Sequence, residues 1–183
     1  MKKLGFILIL LVAFTSTMNA QKYVCKAGNI RIYGHTNMED IEAKSNQAAS
    51  VLDGTKGEIA FQGLVKGFKF ERALMEEHFN ENYMESGKFP KVQFKGTIKN
   101  PRSIKYDKDG VYPATVEGDL TIHGATKKIS AQGTIEVKAG KVMVLAKFNV
   151  APVDYGITIP SVVRDKIAPS MEITVDCTYD AAK

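Results

Sequence analysis

Tryptophan is absent from this chain, cysteine occurs only twice, proline six times and histidine three times. Two cysteines cannot build the multiply bridged scaffold of a small secreted mini-protein. Neither they nor His35, His78 and His123 fall at metal-ligand spacing, so no metal residues are assigned. The prolines and fifteen glycines are too few for a collagen-like or low-complexity chain, while 44% hydrophobic and 25% charged residues are ordinary for a folded protein. Like charges gather only in pairs such as Lys127-Lys128. The formal charge of +5 is therefore diffuse, and nucleic-acid binding, which calls for basic residues interleaved with exposed aromatics, is not expected. Also missing are a G-x-S-x-G elbow, a phosphate loop and a Cys-His pair. No catalytic residues are assigned; His123, outward at a hairpin, is expected to bond backbone or solvent, and the Glu76-Glu77-His78 block reads as a solvated helix face.

What is present begins with residues 1–20. Lys2 and Lys3 precede an apolar run from Leu4 to Phe14 and a small polar stretch ending in Asn19-Ala20, the layout of a secretory signal peptide cleaved after Ala20. The run is shorter than the roughly 20 residues of a membrane-spanning helix, so no membrane anchor is expected after its removal. Removing 20 of 183 residues leaves 163 at a formal charge of +3, a single domain of residues 21–183 expected in the periplasm or secreted. In an oxidising compartment Cys25 and Cys177 can form a disulfide closing nearly the whole chain; two buried free thiols are the alternative.

From Cys25 onward the dominant period is two. Val92–Lys99, Tyr112–Ile122, Ile129–Val137, Val142–Val150 and Met171–Tyr179 alternate apolar or small with polar residues, and Gly28–Met38, Ile41–Val51 and Gly57–Val65 follow more loosely. Asp53-Gly54, Asp109-Gly110, His123-Gly124 and Ala139-Gly140 mark the turns. The gaps are too short for parallel crossovers. The fold class is therefore all-β, an eight-stranded antiparallel barrel whose closure removes exposed edges and brings the first and last strands together. Glu71–Glu85 breaks the period: Leu74, Met75, His78, Phe79, Asn82 and Tyr83 form an amphipathic helical stripe stopped by Gly87 and Pro90. Such a helix is expected to lie across an opening or the side of the barrel.

The inward face mixes Phe61, Phe94, Ile98, Leu120, Ile135 and Phe148 with small residues: Ala43, Ala49, Gly63, Gly96, Ala114, Gly118, Ala131, Gly133 and Ala146. Small residues leave room for a ligand; glycines alternatively mark strand bends. On the first reading, Phe at Gly118 or Gly133 blocks a channel and leaves the fold intact. The segment Asp154–Asp165, with Ile157, Ile159, Val162 and Val163, either caps a channel mouth or plugs one end.

Three motifs carry a resemblance. Gly118-Asp119-Leu120-Thr121-Ile122-His123-Gly124-Ala125-Thr126, Lys88-Phe89-Pro90-Lys91-Val92-Gln93-Phe94 and Phe148-Asn149-Val150 followed by Asp154-Tyr155-Gly156-Ile157 resemble the YceI-like family of polyisoprenoid-binding periplasmic proteins. The resemblance implies a lipocalin-like barrel with a long apolar channel for an isoprenoid lipid or quinone tail, and no catalytic residues or other cofactor. The expected lining is Phe61, Leu74, Phe79, Phe94, Ile98, Val116, Gly118, Leu120, Gly133, Ile135, Phe148 and Ile157. The expected function is an exported lipid-binding protein; the alternative is a structural or stress-related module with a filled barrel, meeting a protein partner through Asn100–Asp109 or Asp154–Asp165. Monomer and dimer are both compatible with the sequence. Exported protein is expected to show an intact mass beginning at Gln21; a mass retaining Met1–Ala20 overturns the cleavage site.

Overall fold

A computed structural model of the chain describes residues 21–182; the signal-peptide expectation lies outside them. The strands are β1 (Lys22–His35), β2 (Asp40–Asp53), β3 (Glu58–Leu64), β4 (Lys69–Phe70), β5 (Lys91–Ile98), β6 (Gly110–Ile122), β7 (Ala125–Lys138), β8 (Lys141–Val150) and β9 (Met171–Ala181). All pairings are antiparallel, in the order β1-β9-β8-β7-β6-β5-β3-β2-β4, and β1 also pairs with β2. Eight strands thus close an antiparallel barrel, with the two-residue β4 added beside β2. His123-Gly124 and Ala139-Gly140 form two-residue turns, all four residues at positive φ between +49° and +77°, the twist that joins antiparallel strands without splaying them.

Along β2 the alternation slips. Ile30 pairs with Ser45 but Gly28 pairs with Ala48, so β2 carries one residue more than β1 across this interval. A bulge of this kind reverses which parity faces inward. Ala48 is buried and Ala49 is exposed, which corrects the inward placement of Ala49.

The glycines answer the question of room against curvature. Gly96 and Gly118 stand directly opposite one another on β5 and β6. A Cβ on Gly118 would overlap the Lys95 carbonyl oxygen and lie 2.8 Å from its carbon, while one on Gly133 would lie 2.8 Å from Ala146 Cα. Real Cβ atoms do not come so close to backbone, so these positions mark the close approach of neighbouring strands at a bend. The expectation that Phe at either site spares the fold is therefore wrong.

The helix is shorter than its apolar stripe. α1 spans Ala73–His78 and continues as a π-helical turn, Phe79–Tyr83. Asn80 Nδ2 donates to the Glu76 carbonyl at 2.9 Å, occupying the acceptor that a regular helix offers to the Asn80 N–H, and the Met84 N–H reaches back to Phe79 O at 2.8 Å. Glu85, at φ +43°, turns the chain out of the helix.

Cys25 and Cys177 are free, buried thiols, which corrects the disulfide. They lie on the neighbouring strands β1 and β9, yet the pairing is interrupted between Val24 and Asn29. This offset stacks both sulfurs over Gly28, where a Cβ would meet Cys177 Sγ at 2.5 Å and Cys25 Sγ at 3.3 Å. Burial, followed by the neighbouring Cys25, pushes the Cys177 thiol well above its ordinary range.

Gly118→Ala is expected to cost about 3 kcal/mol in urea unfolding, the upper end for overpacking because the added methyl meets backbone. Gly87→Ala, where nothing lies within 4 Å, should stay within about 0.5 kcal/mol. Equal small effects at both positions would refute the close-approach reading.

Candidate functional site

The interior is filled at one end and hollow at the other. At the base Tyr23, Leu52, Ile98, Ile135, Val142 and Tyr179 pack with Ile104 and Tyr106. The last two come from the loop between β5 and β6, so Asn100–Asp109 turns two apolar side chains into the barrel. Tyr106 stacks on Tyr23 with ring centroids 5.3 Å apart. The Ser50 hydroxyl donates to Ala60 O at 2.9 Å, leaving its lone pairs to accept the Tyr179 hydroxyl at 2.7 Å. Burial drives the Tyr179 phenol above its ordinary range.

Above this floor lies a cavity of about 460 Å³, within the roughly 300–1,000 Å³ of ligand sites. Phe61, Leu74, Phe79, Phe94, Val116, Leu120, Phe148 and Ile157 all line it. The lining does not include Ile98 and Ile135, which belong to the base, or Gly118 and Gly133, which form the strand bends. Ala131 and Ala146 supply the room the glycines do not, because their small side chains face the space itself. Phe68 and Phe70 also line it and are not singled out by the sequence, because the alternation Phe68-Lys69-Phe70 is too short to stand out. Phe79 packs against both, with ring centroids 5.7 and 5.0 Å apart, and so fastens the helix to the cavity wall.

Polar groups gather at the opening. Glu39, Arg72, His78 and Lys166 border the cavity, and Arg72 pairs with Glu39 across the gap between the helix and the β1–β2 hairpin. Lys69 pairs with Glu76 at 2.5 Å and, by that hydrogen bond, holds the Glu76 carboxyl below its ordinary range. On the far side of the helix, His123 Nε2 contacts Glu85 Oε2 at 2.7 Å and its Nδ1 lies 3.3 Å from Tyr155 O. His123 thus meets backbone as expected of it, and through Glu85 it also joins the end of the helix to the segment following β8. In that segment Tyr155 and Ile157 are buried, while Ile159 and Val163 border the cavity. Asp154–Asp165 forms one wall of the mouth.

Chemically, the hollow offers burial and little else. Among the described residues no group of three His, Cys, Asp or Glu could hold a metal ion, and no helix is long and apolar enough to cross a membrane.

A model of the YceI-like domain matches residues 17–179. A polyisoprenoid binding domain from Saccharophagus degradans, implicated in plant cell wall breakdown, superposes with a TM-score of 0.76 at 11% identity, covering 90% of this chain and 100% of that one. BcnA of Burkholderia cenocepacia gives 0.69 at 11% identity over 82% and 95%. A YCEI protein of Campylobacter jejuni gives 0.63 at 13% identity over 81% and 90%. No curated protein matches the chain.

Burial raises the Tyr106 phenol from 10.0 to about 12, and its buried hydroxyl has no partner among the described residues. The unfolded chain therefore loses this proton first as pH rises above 10, and stability falls from there until the folded group also ionises near 12. The urea midpoint should drop over this window, and Tyr106→Phe should drop less while matching or exceeding wild type at pH 8. Parallel alkaline losses in the two proteins would exclude Tyr106 as the source.

Proposed function

We propose a function from one premise: this chain belongs to the YceI-like domain family. It is an exported binding protein that takes the apolar chain of an isoprenoid lipid or quinone into the upper half of its barrel and performs no chemistry on it. The observation that carries this reading is the cavity of about 460 Å³, walled by phenylalanine and aliphatic side chains above a packed floor. A barrel filled throughout, as a purely structural module would have, does not fit that volume. The polyisoprenoid binding described for the Saccharophagus degradans domain supports the ligand class, and the N-terminal layout of residues 1–20 supports export.

The energetics suit a ligand recognised by its tail. Each buried methylene contributes about 0.8 kcal/mol, so roughly ten of them supply about 8 kcal/mol. That corresponds to about micromolar affinity before the costs of association. Polar contacts at Arg72, His78 or Lys166 can add to this but are not required for retention.

Organic extracts of the purified protein, read by mass spectrometry, are expected to contain a long apolar chain in near-stoichiometric amount. Ala146→Phe places a ring in the hollow rather than against a neighbouring backbone, and should reduce the extracted lipid at least tenfold while leaving the circular dichroism spectrum and urea midpoint close to wild type. Failure to extract or load any apolar chain into the wild type overturns the proposal. Undiminished lipid in a folded Ala146→Phe protein would move the ligand out of this cavity.

A further inference from the structure

We propose that the mouth of the barrel is a docking surface for a lipid bilayer, inserting Met38, Leu74 and Val162 among the lipids; this rests on the lipid-binding reading. These side chains are 65%, 61% and 87% exposed. Scattered apolar residues are normal on a protein surface and carry no message, and Val51, Val111 and Leu145 are of that kind. The three at the mouth differ because each stands on one of the three segments that frame a single opening.

The contacts fix that arrangement. Met38 lies at the tip of the β1–β2 hairpin beside Glu39, which borders the cavity and pairs with Arg72. Leu74 is two residues beyond Arg72, in the first turn of α1, and borders the cavity itself. Val162 belongs to the 3₁₀ segment Ser161–Lys166, where Val163 turns toward the cavity and Val162 turns away. The ring is completed where the end of β1 meets the chain returning to β9, since a Cβ on Gly34 would touch Ala168 Cβ at 3.2 Å.

The bilayer, rather than a protein, is chosen by what the opening leads to. An apolar chain crosses water poorly, and the base is closed by Ile104 and Tyr106, so a tail leaving a membrane must enter beside these three side chains. Arg164 and Lys166 flank Asp165 beside Val162, but Glu39, Asp40, Glu71, Glu76 and Glu77 outnumber Lys69 and Arg72 around Met38 and Leu74, so apolar insertion and not charge carries the contact.

Co-sedimentation of the mature protein with phosphatidylcholine vesicles, with and without phosphatidylglycerol, tests the proposal without any ligand. Wild type is expected to bind both and to keep that binding in high salt, as apolar insertion requires. M38D/V162D changes two residues that do not border the cavity and should bind at least tenfold more weakly. It should also take up a vesicle-embedded polyprenol correspondingly more slowly, while loading from detergent solution to the wild-type extent. Wild type that does not sediment with vesicles, or a variant that binds and loads from them as wild type does, overturns docking. A wild-type dimer that becomes monomeric in M38D/V162D also overturns it, by assigning the patch to a second copy of the chain. If wild type binds vesicles but takes up no polyprenol from either source, docking stands and the lipid-binding reading fails.

Discussion

The double pairing of β1, with β2 on one edge and β9 on the other, is the constraint on which the rest depends. A nine-stranded open sheet would leave two rows of unpaired backbone groups and one apolar face without cover. Closure satisfies both demands, but only if the sheet bends sharply enough. The bending is supplied where side chains are missing: Gly96 against Gly118 and Gly133 against Ala146 allow strands to approach at distances no other residue permits.

Closure also explains the uneven interior. A barrel of this circumference has more volume than its own alternating side chains fill, and the chain spends its bulk at one end. Tyr23 and Tyr179, together with Ile104 and Tyr106 from a loop that folds inward, consolidate the base. The other end receives alanines, a ring of phenylalanines and a short helix held by Phe79 against Phe68 and Phe70. Hydrophobic burial thus does two jobs in one barrel, stabilising the base through close packing while leaving the upper half with apolar surface still to be covered.

Much of this was legible in the sequence because period two is a direct statement about faces. It placed β5 to β9 and their turns and, among the residues that border the cavity, Phe61, Phe94, Val116, Leu120 and Phe148, while the helical stripe supplied Leu74 and Phe79. The errors arose where the period is broken by something with no signature of its own. The bulge in β2 moves the inward face from Ala49 to Ala48, and nothing in the surrounding Ser, Asn, Gln and Ala residues announces it. Glycine was ambiguous for a different reason, since an absent side chain is equally compatible with open space and with another strand in that space. The cysteines followed from topology in their proximity but not in their bonding, because one interrupted register decides whether two sulfurs face or pass each other.

Ile104 and Tyr106 make the barrel a cup rather than a pipe. An occupant drawn in tail first must leave head first through the same opening, and no second exit exists along the described barrel axis. Such a vessel cannot bridge two membranes as a conduit does. If the proposed cargo is carried between two membranes, it moves by discrete visits, in which donor and acceptor compete for one face and the direction of net flow is set by their relative hold on it.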